Sequence, residues 1–144
     1  MEKVEPQLAE ALSRAHAALL NDLRKLEEAE RPASKTGLPA LRARLDGTRA
    51  HIVEHFRFEE QNGYMDTVRT HEPRLERVID ELAEDHCRLL DSLDALIRET
   101  AMAASTNETI TAKVTEWIGE VRRHEAQENR LVQDAFNMDI GPED

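Results

Sequence analysis

Four of the six histidines in this 144-residue chain sit in a pattern that could do chemistry. His55 is followed four positions later by Glu59, and His124 four positions later by Glu128. Residues four apart lie on one face of a helix, one turn apart. A further histidine precedes each pair at a similar distance: His16 lies 39 positions before His55, and His86 lies 38 before His124. Imidazole and carboxylate are donors that suit first-row metal ions. A His followed by HxxxE, stated twice, is therefore a candidate for metal ions held inside a helical bundle.

Taken singly, an HxxxE on a helix also reads as a solvated ion pair, and a lone histidine on an apolar face as a hydrogen-bonded core residue. The elements that carry these residues decide between the readings. A first helix is expected from Pro6 to Glu30, its stripe Leu8, Leu12, Ala15, Leu19, Leu23 and Leu26 placing His16 toward the core. The turn residues of 31–37 make a loop. A second helix spans 38–70, and its stripe Leu41, Leu45, Thr48, Ile52, His55, Glu59 and Asn62 runs straight through a histidine and a glutamate. Gly63 is a point of close approach or a local break. A third helix covers 72–104 through Leu75, Ile79, Leu82, His86, Leu89, Leu93 and Leu96. After a loop rich in N-cap residues, a fourth covers 107–136 through Ile110, Val114, Trp117, Val121, His124, Glu128, Leu131 and Ala135. Residues 137–144 read as an exposed acidic tail.

Four long helices with short connections predict an all-α, up-down-up-down antiparallel four-helix bundle, one domain over 1–144. Counted from the connection that joins neighbouring helices, each of the four histidines lies 14 to 18 residues away. At about 1.5 Å of rise per residue, antiparallel neighbours with matching offsets bring all four into one layer. Two carboxylates in that layer would cost several kcal/mol each unless bound to a cation, and no Lys or Arg occupies a nearby stripe position. Six ligands are too many for one tetrahedral ion. They suit two ions bridged by Glu59 and Glu128, each ion also holding two imidazoles, with positions left for a bridging oxo or hydroxo group and an outside ligand.

Other residues read as bystanders. His51 flanks the stripe beside the ligands, and His71 sits at a turn. Glu60 should point into solvent, Cys87 should be a buried or half-buried thiol, and Tyr64 and Trp117 should pack. No Gly-rich phosphate loop, nucleophile elbow or Ser/His/Asp set is present, so no catalytic residue or organic cofactor site is assigned.

Composition narrows the classes. The chain is 40% hydrophobic, 34% charged and 3% aromatic, with five Gly and five Pro, which favours long helices with an aliphatic core. Its net charge of −11 argues against nucleic acid as a partner, and no basic amphipathic stretch suggests a membrane surface. A single cysteine excludes a disulfide framework. The first residues, MEKVEPQLAEAL, lack a signal-peptide pattern, so the expected location is cytoplasmic.

With these residues in view, the sequence resembles the hemerythrin-like, or HHE cation-binding, domain family. The motifs that carry the likeness are His16, HFRFEE from His55 to Glu60, Asp85-His86, and HEAQE from His124 to Glu128, and it spans essentially the whole chain. The resemblance implies a non-haem di-iron site, with His16, His55, His86 and His124 as nitrogen ligands and Glu59 and Glu128 as bridges. Two departures from the oxygen carriers stand out. Leu82 and Leu90 flank His86 where those proteins have HxxxH, and Glu128 with Asn129 replaces HxxxxD. A four-His, two-Glu set is closer to the di-iron domain of iron-centre repair proteins.

The expected function is binding of, or reaction with, O2, NO or peroxide at the two iron ions, for sensing, storage or stress response. Two alternatives stay open: a di-iron oxidoreductase turning over the same ligands, and an interaction module whose metal only staples the bundle. Zinc and manganese also suit the donor types, although zinc favours four ligands in closed sites. Neither the oligomeric state nor an electron donor is legible.

Overall fold

Runs of Ala, Leu, Glu and Arg, broken by few Gly or Pro residues, favour helix over long stretches. The computed structural model describes residues 4–30, 37–62, 64–104 and 107–136. Residues 1–3, the connection at 31–36, Gly63, residues 105–106 and the acidic end from Asn137 to Asp144 lie outside these, as do the side chains of residues 4–9, Glu30, Asn62 and Phe136. Helix α1 is Val4–Glu30, α2 Gly37–Arg57, α3 Tyr64–His71, α4 Glu76–Met102 and α5 Glu108–Phe136. Gly37, at φ 71°, takes the left-handed conformation that glycine adopts without strain and begins α2. The Asn107 side chain caps α5 by accepting the Ile110 N–H at 2.9 Å. None of the helices described is long and apolar enough to cross a membrane.

The four long helices α1, α2, α4 and α5 pack as an antiparallel bundle in which each touches the next and α5 closes onto α1. The expected fold class is borne out. The expected second helix over 38–70 is not continuous, because α2 ends at Arg57 and a π-helical turn, Phe58–Asn62, intervenes before α3. A π turn is wider than an α turn and rotates the next stretch of helix about the axis. An unbroken helix through Ile52, His55 and Glu59 would bring Asp66 inward, yet Asp66 is exposed, and Tyr64, Met65 and Val68 are buried instead. The expected third helix over 72–104 likewise opens with a short 3-10 turn, Pro73–Leu75, ahead of α4.

Two apolar clusters fill the bundle. One gathers Leu19, Leu23, Leu41, Leu45, Ile52, Leu93, Val114, Trp117 and Val121 among others. The other holds Leu12, Tyr64, Met65, Val68, Ile79, Leu82, Leu131 and Val132. Trp117 packs as expected, donating its indole N–H to the Leu89 carbonyl at 2.9 Å. Along α1, α4 and α5 the change from one cluster to the other falls at a histidine or glutamate, and between α2 and α3 it falls at the π turn that carries Glu59. A polar layer thus lies between two oily ones.

At the C-terminus of α4 the orphan carbonyls are met from outside the helix. The half-buried Arg42 of α2 donates to the carbonyl oxygens of Thr100, Ala103 and Ala101 at 2.7, 3.0 and 3.3 Å. A cation on the negative end of a helix, with charge-assisted bonds, is worth about 1–3 kcal/mol. Arg42→Ala should lower stability in urea by that amount and speed amide exchange in the last turn of α4. An unchanged unfolding curve would show that the cap contributes nothing.

Candidate metal centre

The polar layer is built by all four long helices and the π turn. α1 contributes His16, α2 His55, the π turn Glu59, α4 His86, and α5 His124, Glu125 and Glu128. Glu59 and Glu128 are fully buried, and the other five are at most 5% exposed. All six residues expected from the sequence are brought together, and a seventh joins them.

The four histidines turn Nε2 inward. His16 Nε2 lies 3.2 Å from Glu59 Oε2 and 3.2 Å from Glu128 Oε1. His55 Nε2 is 3.0 Å from Glu59 Oε2. On the opposite side, His86 Nε2 lies 3.1 Å from Glu59 Oε1 and 3.3 Å from Glu128 Oε2. His124 Nε2 is 3.1 Å from Glu128 Oε2. Each of the two central carboxylates therefore offers one oxygen to the His16 side and the other to the His86 side. Donor atoms of His16, His55, Glu59, Glu125 and Glu128 all lie within 4.8 Å of one another, and so do those of Glu59, His86, His124 and Glu128.

Several of these atoms are close without being bonded. Glu59 Oε1, His124 Nε2 and Glu125 Oε1 are buried and have no hydrogen-bond partner, although neighbours stand within about 3.1 to 3.4 Å. Nitrogen and oxygen atoms crowded together in this way can share a common cation. The donor chemistry and the unpaired atoms both fit a metal site.

A family model described as the hemerythrin HHE cation-binding domain matches residues 7–136. The chain belongs to this family. No curated protein and no solved structure matches it.

Around the hemerythrin-like centre, residues that the sequence left aside hold the donors in place. Glu60 was expected in solvent; its side chain is 42% exposed, but Oε2 accepts from His86 Nδ1 at 2.5 Å. The π turn makes this possible by sending two consecutive glutamates to the two nitrogens of one histidine, Glu59 to Nε2 and Glu60 to Nδ1. Asp85 Oδ2 stands 3.4 Å from His124 Nδ1. The Tyr64 hydroxyl, expected only to pack, donates to Glu128 Oε2 at 2.9 Å from a fully buried position. Phe56 stacks on His86 with ring centroids 3.8 Å apart. His51 stays at the flank, 3.9 Å from Asp22. Cys87 is exposed, not buried: it comes one residue after His86, which turns it about 100° off the core stripe.

Glu125 is the ligand-type residue that the sequence reading missed. A signal existed, since Glu125 lies four after Val121 and three before Glu128, on the stripe of α5. For Glu60 and Tyr64 there was none, because their placement depends on the π turn.

When no cation is bound, the imidazoles of this hemerythrin-like layer answer the carboxylates instead. Burial pushes the His16 imidazolium toward losing its proton, but hydrogen bonds to Glu128 and Glu59 and the charge of Glu125 outweigh it, raising the pKa to about 11. For His55 and His86, burial is likewise outweighed, by Glu125 and Glu59 and by Glu128 and Glu59 respectively, and both rise to about 10. For Glu128 burial acts upward, yet His124, His16 and His86 hold it well below the usual carboxylate range. Burial keeps Glu125 raised, so its charge costs stability at neutral pH.

A raised imidazolium contributes stability that is whole below the unfolded value of 6.5 and is lost as pH climbs through about 10 to 11. A depressed carboxylate such as Glu128 contributes above 4.5 and loses its contribution as pH falls. In protein stripped of metal by chelation, the thermal midpoint should therefore fall by several degrees between pH 7 and about pH 10.5. A midpoint that stays level across that range would contradict the charged network.

Proposed function

We propose that this chain is a single hemerythrin-like domain that holds two iron ions in the polar layer. At that centre it binds or reacts with a small ligand of the O2, NO or peroxide class, in sensing, storage or stress response. One observation carries the reading. Glu59 and Glu128 each turn their two oxygens to opposite sides, and each side supplies two imidazole nitrogens of its own. A carboxylate so placed would suit a cation on each side. Iron in these positions would supply a redox-active Lewis acid able to take a diatomic or peroxide ligand.

The chain's own residues would do the rest. Glu60 and Asp85 accept hydrogen bonds from the Nδ1–H groups of His86 and His124, which fixes the ring orientation and leaves Nε2 to face inward. The Tyr64 hydroxyl pins one oxygen of Glu128. Phe56 covers the face of His86, and the apolar clusters above and below keep bulk water from the layer. Buried carboxylates and neutral imidazoles leave net negative charge in the layer, which cations neutralise.

Metal analysis of purified protein, with absorption spectra of the native chain and of Glu59→Ala and Glu128→Ala, tests the reading. About two irons per chain are expected, falling by half or more in either variant; full occupancy in both variants would remove the bridging assignment. Anaerobic reduction and then exposure to air or NO should produce a charge-transfer spectrum that reverses when the ligand is withdrawn. Sustained consumption of ligand with an electron donor would point instead to an oxidoreductase, and a protein that carries only zinc, inert to both ligands, to a structural staple.

A further inference from the structure

The two sides of the layer are not alike. The His86 side offers four donors: His86, His124 and one oxygen each from Glu59 and Glu128. The His16 side offers five, because Glu125 joins that group and not the other. Glu125 is 3% exposed. Its Oε2 stands 3.0 Å from His55 Nε2, whereas Oε1 lies 3.4 Å from His16 Nε2 with no hydrogen-bond partner. A carboxylate buried to this degree, one oxygen unpaired and directed among donors, is costly unless a cation meets it. The ion pairs described for Glu59, Glu125 and Glu128 are all with histidines.

The His86 side has additional negative charge too, but behind its rings. Glu60 and Asp85 stand at the outer nitrogens of His86 and His124, with side chains 42% and 18% exposed. Outer partners of this kind change metal affinity by about 10- to 100-fold, and solvent weakens these two further. A carboxylate bound directly to the ion, inside a water-excluded layer, acts at shorter range and without that screening.

We propose that Glu125 is a fifth, terminal ligand of the His16/His55 position and that it makes the two positions unequal, so that this one fills first. The proposal rests on the two-cation reading of the layer. It gives the chain a one-metal form of defined composition, with the ion at His16, His55, Glu59, Glu125 and Glu128, before the His86/His124 position is occupied. Manganese is a suitable probe because carboxylate donors accept it and its paramagnetic signal separates isolated ions from coupled pairs.

The full chain, stripped by chelation, would be titrated with Mn2+ by calorimetry and monitored by electron paramagnetic resonance. Two events are expected, the first at least ~10-fold tighter than the second, with an isolated-ion signal at one equivalent that gives way to a coupled pair at two. Glu125→Gln, of the same shape without the charge, should weaken the first event by ~10-fold or more and bring the two together. Glu125→Asp should recover part of the gap. Two equal events in the native chain, or a first event untouched by Glu125→Gln, would overturn the proposal while leaving the two-cation reading intact. Failure of the native chain to bind any Mn2+, Fe2+ or Co2+ would overturn both. Circular dichroism checks the variants' fold, and if Glu125→Gln does not fold, the native chain's filling order decides.

Discussion

Burying three carboxylates in the middle of an otherwise apolar bundle is the constraint on which the rest of this structure depends. Left unpaired, a single buried carboxylate costs several kcal/mol even after relaxation, a large share of a domain's net stability. Here Glu59, Glu125 and Glu128 share one layer, answered by the four imidazoles around them and by the Tyr64 hydroxyl on Glu128. The imidazoles can answer in two ways. As imidazoliums they neutralise the carboxylates directly, which accounts for the raised values at His16, His55 and His86. As neutral rings they join the carboxylates as ligands to cations. The second state would require the first to give up its protons, which would link folding, protonation and metal binding through this layer.

The fold serves that layer at several scales. Two apolar clusters, one on each side, bring the helices close enough for donors from all four to meet. The π turn at Phe58–Asn62 then works at the scale of one residue. It lets adjacent glutamates grip both nitrogens of His86, and it rotates α3 so that Tyr64 reaches Glu128. π turns are infrequent in proteins and occur often at functional sites, where the altered register re-aims side chains. The result is a centre held by Glu60, Asp85, Tyr64 and Phe56 from outside as well as by the bundle from within.

Much of this could be read from residue spacing, and the parts that could not have definite physical causes. Periodicity places His16, His55, His86 and His124 on apolar stripes, and similar distances from the connections place them at about one height. Both inferences need only regular α-helix, and both match the observed layer. Where the helix is not regular, the inference fails. The stripe continued past Glu59 points to Asn62 and onward to Asp66, whereas the wider turn buries Tyr64, Met65 and Val68. Glu60 was sent to solvent for the same reason. Glu125 is a different kind of miss, since its spacing from Val121 and Glu128 was visible but was overshadowed by the more obvious HxxxE of which it is not a member. Cys87 was placed near the core through its neighbour His86, against the helical rotation that carries it outward.

The central claim is that two cations sit side by side with Glu59 and Glu128 between them. Anomalous diffraction from crystals of the metal-loaded chain, collected at the absorption edge of the bound metal, tests it most directly. Two peaks are expected in the polar layer, about 3.5–4 Å apart as in two-metal sites generally, one beside His16 and His55 and the other beside His86 and His124. A single central peak, or metal bound only at surface carboxylates with the layer empty, would contradict it.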